Sequence, residues 1–346
     1  MALQHRGRLR IGLGLGRQLA VDLGTANTVV FERGEGIVAF EPSVVAIDER
    51  SGDVLAVGAE ARRMIGRTPA HIHATRPLRH GVIADFDTTA QMLRYFIRGA
   101  IGRRAARAQV VVCVPSGVTP VERTAVEEAA LAAGAARAYL IDEPLAAAIG
   151  AGLPVEESIG SLVVDVGGGT SEMAVTALGG MVVATSLRTG GYDLDDAIVK
   201  LLQDEHRLLV GQEQAEVVKI EIGAATATAA GDAATDIAGR DLATGLLRRA
   251  TVTAAEVQRA LARPLTQIVE AVELLLEQTP PQLAADIADR GLTLVGGGAL
   301  LDGLAGLLRA RTGLHVTIDD DPLTTVARGA GEALEHLHHL KPSHRR

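Results

Sequence analysis

The sequence predicts an α/β protein built from two related halves. Three observations predict it. Four apolar runs end directly in turns of small residues: LAVDLGT (19–25), QVVVCVPSG (109–117), SLVVDVGGGT (161–170) and LTLVGGGALL (292–301). Their continuous Val and Leu content is that of strands covered on both faces. Helical segments alternate with these runs. An aspartate followed by a glycine turn closes two of the strands, at Asp22 and Asp165, 143 positions apart. That separation is close to the length of one domain, so a single site built twice is the first reading.

The chain has 346 residues, enough for two domains of ordinary size. It is 47% hydrophobic and 22% charged, which is globular, but aromatics make up only 2%, with no Trp. Ala, Val, Leu and Gly must therefore fill the core. A net charge of −8 argues against broad binding to nucleic acid, which needs a basic face. The lone cysteine, Cys113, sits inside VVVCVP. It is expected to be a buried structural thiol, since no neighbour would lower its pKa. One cysteine fits a reducing cytoplasm. No uninterrupted apolar segment reaches the roughly 18 residues needed to span a bilayer. The basic N-terminus lacks a continuous apolar core, so no secretory signal is expected.

In chain order, the first lobe is expected over 1–150, with its core at 18–35 and 81–150. Residues 36–80 suggest short strands plus a helix, a smaller subdomain. Thr119-Pro120-Val121-Glu122 is a capping box with Pro at the first helical position. The helix it opens should run to Gly134. The second lobe is expected over 151–321, with its core at 151–187 and 251–321. Its inserted subdomain, about 188–250, holds a charge-rich helix and then GAATATAAGDAATDIAGRD, which reads either as part of that subdomain or as a loop. Thr253-Ala-Ala-Glu256 is a second capping box, opening a long amphipathic stretch that Pro264 should kink or split. A final helix, 322–340, is expected to pack back on the first lobe.

Glycine costs more backbone freedom on folding than any other residue, so a run of three demands a reason. A glycine turn after a strand lets backbone N–H groups converge on an anion, usually phosphate. Two carboxylates, Asp22 and Asp165, facing bound phosphates would need a cation, and Mg²⁺ suits one or two carboxylates plus water and phosphate oxygens. Thr25, Asn27 and Thr170 add donors. A single D-x-G-T is an ordinary tight turn. Two copies plus Gly296-Gly-Gly-Ala-Leu300 favour phosphate binding. Gly12-Leu-Gly-Leu-Gly16 precedes the first strand and lacks the last glycine of a dinucleotide fingerprint, and no P-loop motif occurs. Asp142 and Glu143 end an apolar strand and Pro144 starts a helix. Alone, such acids are N-terminal caps. Beside two phosphate loops, Glu143 is placed to orient or deprotonate a water.

These motifs, in this order, resemble the set of the actin/Hsp70/sugar-kinase ATPase superfamily: Asp22 to Thr28, Asp142 to Ala148, Asp165 to Thr170, Gly190-Gly191 and Gly296 to Leu300. The phrases EPSVVAI, RPLRHGVIADF, EEAALAAGA and DPLTTVARGAGEALE are similar to those of the bacterial actins of the MreB/Mbl family, from about residue 18 to about 336. The resemblance implies an actin-like fold: two duplicated RNase H-like lobes, each with a smaller inserted subdomain, and ATP or ADP with Mg²⁺ in the cleft between them. It implies that Asp22 and Asp165 position the metal through water, and that Glu143 polarises the attacking water. Thr25, Ala26 and Asn27 would form one phosphate loop, and Gly167, Gly168, Gly169 and Thr170 the other. Glu216, Val217, Val218 and Lys219 match the helix that contacts ribose and base, although Glu216 and Lys219 alone are an ordinary i,i+3 pair on a solvated face. Gly296, Gly297, Gly298 and Ala299 would form the adenosine loop.

The family further implies a slow ATPase that polymerises into filaments on the cytoplasmic face of the cell membrane. Those filaments would work with the cell-wall elongation machinery and maintain cell shape. The alternatives on the same fold are a monomeric phosphotransferase of the sugar or acetate-kinase type and a nucleotide-binding regulator that does not polymerise. The sequence departs from the family pattern in places. Tyr192 stands where an acidic residue usually follows the glycine pair, and Asp142 replaces the usual glutamate. The loop at 97–109, which inserts into membrane in some relatives, carries arginines in place of bulky apolar residues. Residues 1–17 hold four arginines and four glycines, a poor membrane helix or a disordered arm. The C-terminal HLHHLKPSHRR reads as a polar tail.

Overall fold

The computed structural model describes residues 17–102, 108–335 and 343–344. Gly12 to Gly16, the rest of the N-terminal arm, residues 103–107 of the arginine-bearing segment and residues 336–342 of the tail lie outside the described residues.

Two mixed sheets carry the molecule. The first runs in the order Ser343–His344, Arg137–Asp142, Gln109–Val114, Gln18–Leu23, Asn27–Glu32, Gly36–Pro42. The second runs Val316–Ile318, Leu292–Val295, Ser161–Val166, Ser171–Ala177, Gly180–Leu187. In each, the aspartate-bearing strand is central. It pairs antiparallel with the strand that follows it and parallel with a strand that arrives much later. The same wiring twice is the duplication that the two Asp–Gly motifs suggested.

The strand Gly36–Pro42, expected in the smaller subdomain, instead closes the edge of the first sheet, paired with Asn27–Glu32. The small three-stranded sheet beyond it consists of Val45–Asp48, Val54–Val57 and Ile72–Thr75. On the other side, the Ala-rich stretch is ordered: a short helix, Ala227–Ala230, then strand Ala234–Asp241 paired with Leu247–Thr253. Both capping boxes form as expected, and helix Pro120–Ala132 starts at its proline. The arginine-bearing segment begins inside a helix, Phe86–Ile101, that continues further than the sequence suggested.

Pro264 neither splits nor ends its helix, which runs unbroken over Ala254–Gln278. Proline removes one backbone hydrogen bond. Here Leu261, Leu265, Ile268 and Val272 are buried in the same core on both sides of it, and that burial holds the axis together.

The space between the sheets is filled by a pair of small-residue helices, Glu143–Gly150 and Thr325–Ala333. The second starts at Thr325, later than the expected 322–340, and residues 336–340 of that expectation lie outside the described residues. A Cβ on Gly150 would lie 1.9 Å from the Thr325 carbonyl oxygen, and one on Gly329 would lie 1.9 Å from the Ala146 carbonyl oxygen. The contact is reciprocal and backbone to backbone. Replacing Gly329 with Ala should therefore cost at least the ~1–3 kcal/mol typical of overpacking. A Gly329→Ala melting temperature equal to the parent's, by calorimetry, would contradict this packing.

Candidate functional site

A cleft of about 690 Å³ opens between the two sheets, within the usual range for small-ligand sites. Asp22 is the penultimate residue of its strand, and Gly24, Thr25, Ala26 and Asn27 turn out of it into the cleft wall. The turn is pinned from one side by Ser43, whose hydroxyl donates to the Gly24 carbonyl at 2.6 Å and whose N–H donates to the Ala26 carbonyl at 2.9 Å. From the other side, Gly81 N–H donates to Thr25 Oγ1 at 2.8 Å.

The second loop answers the question raised by three glycines in a row. A Cβ on Gly168 would lie 2.5 Å from the Ala26 Cβ, and one on Gly169 would lie 2.6 Å from Thr25 Oγ1. What approaches the backbone too closely for a side chain is the other loop. Gly191 and Tyr192 N–H groups in turn donate to the Gly167 and Gly168 carbonyls at 2.9 and 2.8 Å. Gly296, at φ 79°, passes so near Asp165 that a Cβ would sit 2.1 Å from its Oδ1. The carboxylate is therefore walled in by backbone.

Five acids crowd this region. Burial pushes Asp22 up to about 7. Burial, then the charges of Asp22 and Glu172, push Asp165 up to about 8. Glu143, 7% exposed at the start of its helix, is driven well above the carboxylate range by burial and then by Glu172, Asp22, Asp165 and Asp142. Asp142 pairs with Arg123, which makes it a salt-bridge partner and not a cap. Among the described residues no group of three His, Cys, Asp or Glu could hold a metal by itself. Asp22 and Asp165 do fit Mg²⁺ in its phosphate-bound mode, where one or two carboxylates suffice. The cost of burying these two acids beside each other is what a divalent cation would relieve. Cys113 is buried, and its thiol is pushed well up by burial and these same charges, as a structural thiol.

Glu172 was not foreseen. Only 1% exposed, it accepts from Ser116 N–H at 3.0 Å and Ser116 Oγ at 2.7 Å on the first sheet's side, and from Ser186 Oγ on its own. It joins the two sides. The one available signal was a charge inside the otherwise buried strand Ser171–Ala177. Lys219 is no solvated partner of Glu216. Its Nζ lies 2.7 Å from Oδ1 of Asp195, itself 1% exposed, and donates to the Gly191 carbonyl at 3.0 Å. Burial outweighs that lysine and lifts Asp195 to about 6.

Asp22, Thr25, Ala26, Asn27, Glu143, Asp165, Gly167 to Thr170, Glu216, Lys219 and Gly296 to Gly298 all line the one cleft. Three expected residues do not. Val217 points out, half exposed; Val218 and Ala299 are buried in the second hydrophobic core. On helix Gln212–Ile222, positions 216 and 219 share a face, and 217 and 218 fall off it.

The family model described as MreB/Mbl protein matches residues 16–342. The chain is 51% identical over 325 residues to the cell shape-determining protein MreB of Escherichia coli (strain K12), covering 92% of this chain and 93% of that one. It is 44% identical over 328 residues to the cell shape-determining protein Mbl of Bacillus subtilis (strain 168), covering 94% and 97%. Its fold matches MreB 5 of Spiroplasma citri, crystallised bound to AMPPNP, with a TM-score of 0.88 at 34% identity over 93% of this chain and 97% of that one.

The buried acids set a pH dependence. Asp22 and Asp165 hold protons to about 7 and 8 when folded, against 3.8 for a free aspartate side chain. Over that window the folded chain binds more protons than the unfolded one, so their contribution to stability falls as pH rises from about 4 to about 8. The melting temperature of the nucleotide-free protein should fall less steeply across this range in Asp22→Asn/Asp165→Asn than in the parent. Identical slopes would show that these carboxyls are not the titrating pair.

Proposed function

Because the chain belongs to the MreB/Mbl family of bacterial actins, we propose that it binds ATP in the described cleft, hydrolyses it slowly and polymerises with it. The observation that carries this reading is the convergence of both glycine loops, Asp22, Asp165 and Glu143 on one cleft. The loops would receive the phosphates, with Thr25, Asn27 and Thr170 as side-chain donors. Lys219 and Glu216 would face the ribose and base, with Gly296 to Gly298 across from them. Asp22 and Asp165 would hold Mg²⁺ through water, and the ion would supply neutralisation of the phosphate charge.

Glu143 is the base of this scheme. Its carboxylate would orient a water and accept its proton as that water attacks the terminal phosphorus and the bond to the bridging oxygen breaks, releasing ADP and phosphate. Burial among other acids makes it a strong proton acceptor once ionised. The bound cation and the loop N–H groups would offset the neighbouring negative charge that otherwise keeps it protonated.

Head-to-tail contacts between copies give open filaments, not closed rings, when the rotation does not close. Leu246 and Leu247, 70% and 90% exposed at the hairpin beside Leu247–Thr253, are apolar surface of the kind such contacts bury. The filaments are proposed to lie on the cytoplasmic face of the membrane, to guide the cell-wall elongation machinery and to maintain cell shape. Attachment is proposed to be peripheral; no helix among the described residues is long and apolar enough to cross a membrane.

Glu143→Ala should lower ATP turnover by at least about 100-fold, the usual share of a positioned base, while retaining nucleotide binding. It should still sediment as filaments on anionic liposomes when ATP is added. Unchanged turnover would remove Glu143 from the mechanism. Monomers under every nucleotide and lipid condition, in the parent protein, would remove the filament reading.

A further inference from the structure

Two arginines reach across the cleft from outside the residues that line it. Arg62 ends the short helix Ala59–Arg62, and Arg76 directly follows strand Ile72–Thr75, so both belong to the small three-stranded outgrowth beside the first sheet. Their partners stand on the opposite side. The Arg62 guanidinium hydrogen-bonds Glu216 and lies 3.7 Å from Glu213. Arg76 donates to Gln212 Oε1 at 3.2 Å, and its guanidinium carbon sits 4.6 Å from the centre of the Tyr192 ring. Glu216 and Tyr192 are both cleft-lining residues.

Each contact is modest in itself. Partly exposed ion pairs and cation–π contacts add little to the stability of a folded chain. Their placement gives them another effect. They join the two sides of a cleft, so they break whenever the sides part and act directly on the opening equilibrium. The partner at position 192 is also telling. An acid there would hold Arg76 but would add negative charge to a cleft already crowded with carboxylates. A tyrosine face holds the same guanidinium and adds none.

We propose that Arg62 and Arg76 are positioning residues that clamp the nucleotide pocket shut. Arg62 fixes the Glu216 carboxylate and Arg76 stacks on Tyr192, so that nucleotide leaves only when both contacts open. This rests on the nucleotide reading given above. It assigns to this chain a cross-cleft device built on Tyr192, where the resemblance expects an acidic residue.

The test is release of methylanthraniloyl-ATP with Mg²⁺ from the full chain, chased with ATP in a stopped-flow instrument. Arg62→Ala and Arg76→Ala should each speed release about threefold, and the double variant about tenfold. Tyr192→Phe keeps the ring and should release more slowly than Tyr192→Ala. Tyr192→Ala should speed release by less than Arg76→Ala, which also loses the Gln212 bond, and adding Tyr192→Ala to Arg76→Ala should change nothing further. Raising salt to about 0.5 M should speed the parent but leave Arg62→Ala nearly unchanged. Parent-like release from a double variant that melts like the parent would overturn the clamp. If Arg76→Ala fails to fold, Arg76→Lys keeps charge and stem but loses the planar stack; parent-like release from it would overturn the clamp equally. A parent protein that does not bind the probe would overturn the nucleotide reading itself, and the clamp with it.

Discussion

The contact on which this structure depends is the crossing of two helices at Gly150 and Gly329. There each backbone lies where the other's side chain would be. Nothing larger than hydrogen fits, and the sheets on either side are held at the distance this crossing allows. Ala20, Val111 and Ile141 from the first sheet and Val163 and Val295 from the second pack onto the same helix pair. With few aromatics to fill the interior, close approach of small residues does what ring burial does elsewhere. The consequence for chemistry is direct. Glu143 is the first residue of one of the crossing helices, so the depth of the crossing sets where that carboxylate stands in the cleft.

The glycine loops obey the same rule of close approach. Gly168 and Gly169 lie against Ala26 and Thr25, and Gly296 lies against Asp165. Loops that touch one another leave no freedom to reorganise when a ligand arrives, which is the condition for electrostatic preorganisation. The arrangement is unfavourable for the protein alone. Asp22, Asp165 and Glu143 are each buried and each held above the ordinary carboxylate range, with Glu172 supplying further charge. Buried acids without counter-charge are a standing cost. The Mg²⁺ and nucleotide proposed for this cleft would relieve that cost.

How much of this was legible follows from what sequence encodes locally. The four strands, their glycine turns and both capping boxes were legible because each is fixed by residues within a few positions. The edge strand Gly36–Pro42 was misplaced because partner choice is a long-range property; its own residues do not say which sheet they join. Pro264 was read by its local effect, and tertiary burial on both flanks overrode it. Glu216 and Lys219 looked like partners of each other because they are three apart on a helix, yet each is engaged by a different element, Arg62 and Asp195. Val217, Val218 and Ala299 were carried in as members of contiguous motifs, although helix and turn geometry presents only part of such a run to one side. Glu172 went unnoticed because its partners, Ser116 and Ser186, are far away in sequence.

The duplication explains both the symmetry and its limits. In the first half, strand Arg137–Asp142 leads into helix Glu143–Gly150; in the second, Val316–Ile318 leads into Thr325–Ala333. Equivalent helices therefore meet each other, which is why Gly150 meets the Thr325 carbonyl while Gly329 meets that of Ala146. The stretches entering them still read alike, Asp142-Glu143-Pro144-Leu145 against Asp320-Asp321-Pro322-Leu323. Their acids have diverged in use. Glu143 is buried and faces the cleft, whereas Asp321 is exposed and accepts a hydrogen bond from Thr324. A symmetric crossing needs both helices, but the attacking water proposed here needs only one base. The acid of the second helix serves its own turn, so the scaffold is twofold while only one of the two helices gives the cleft an acid.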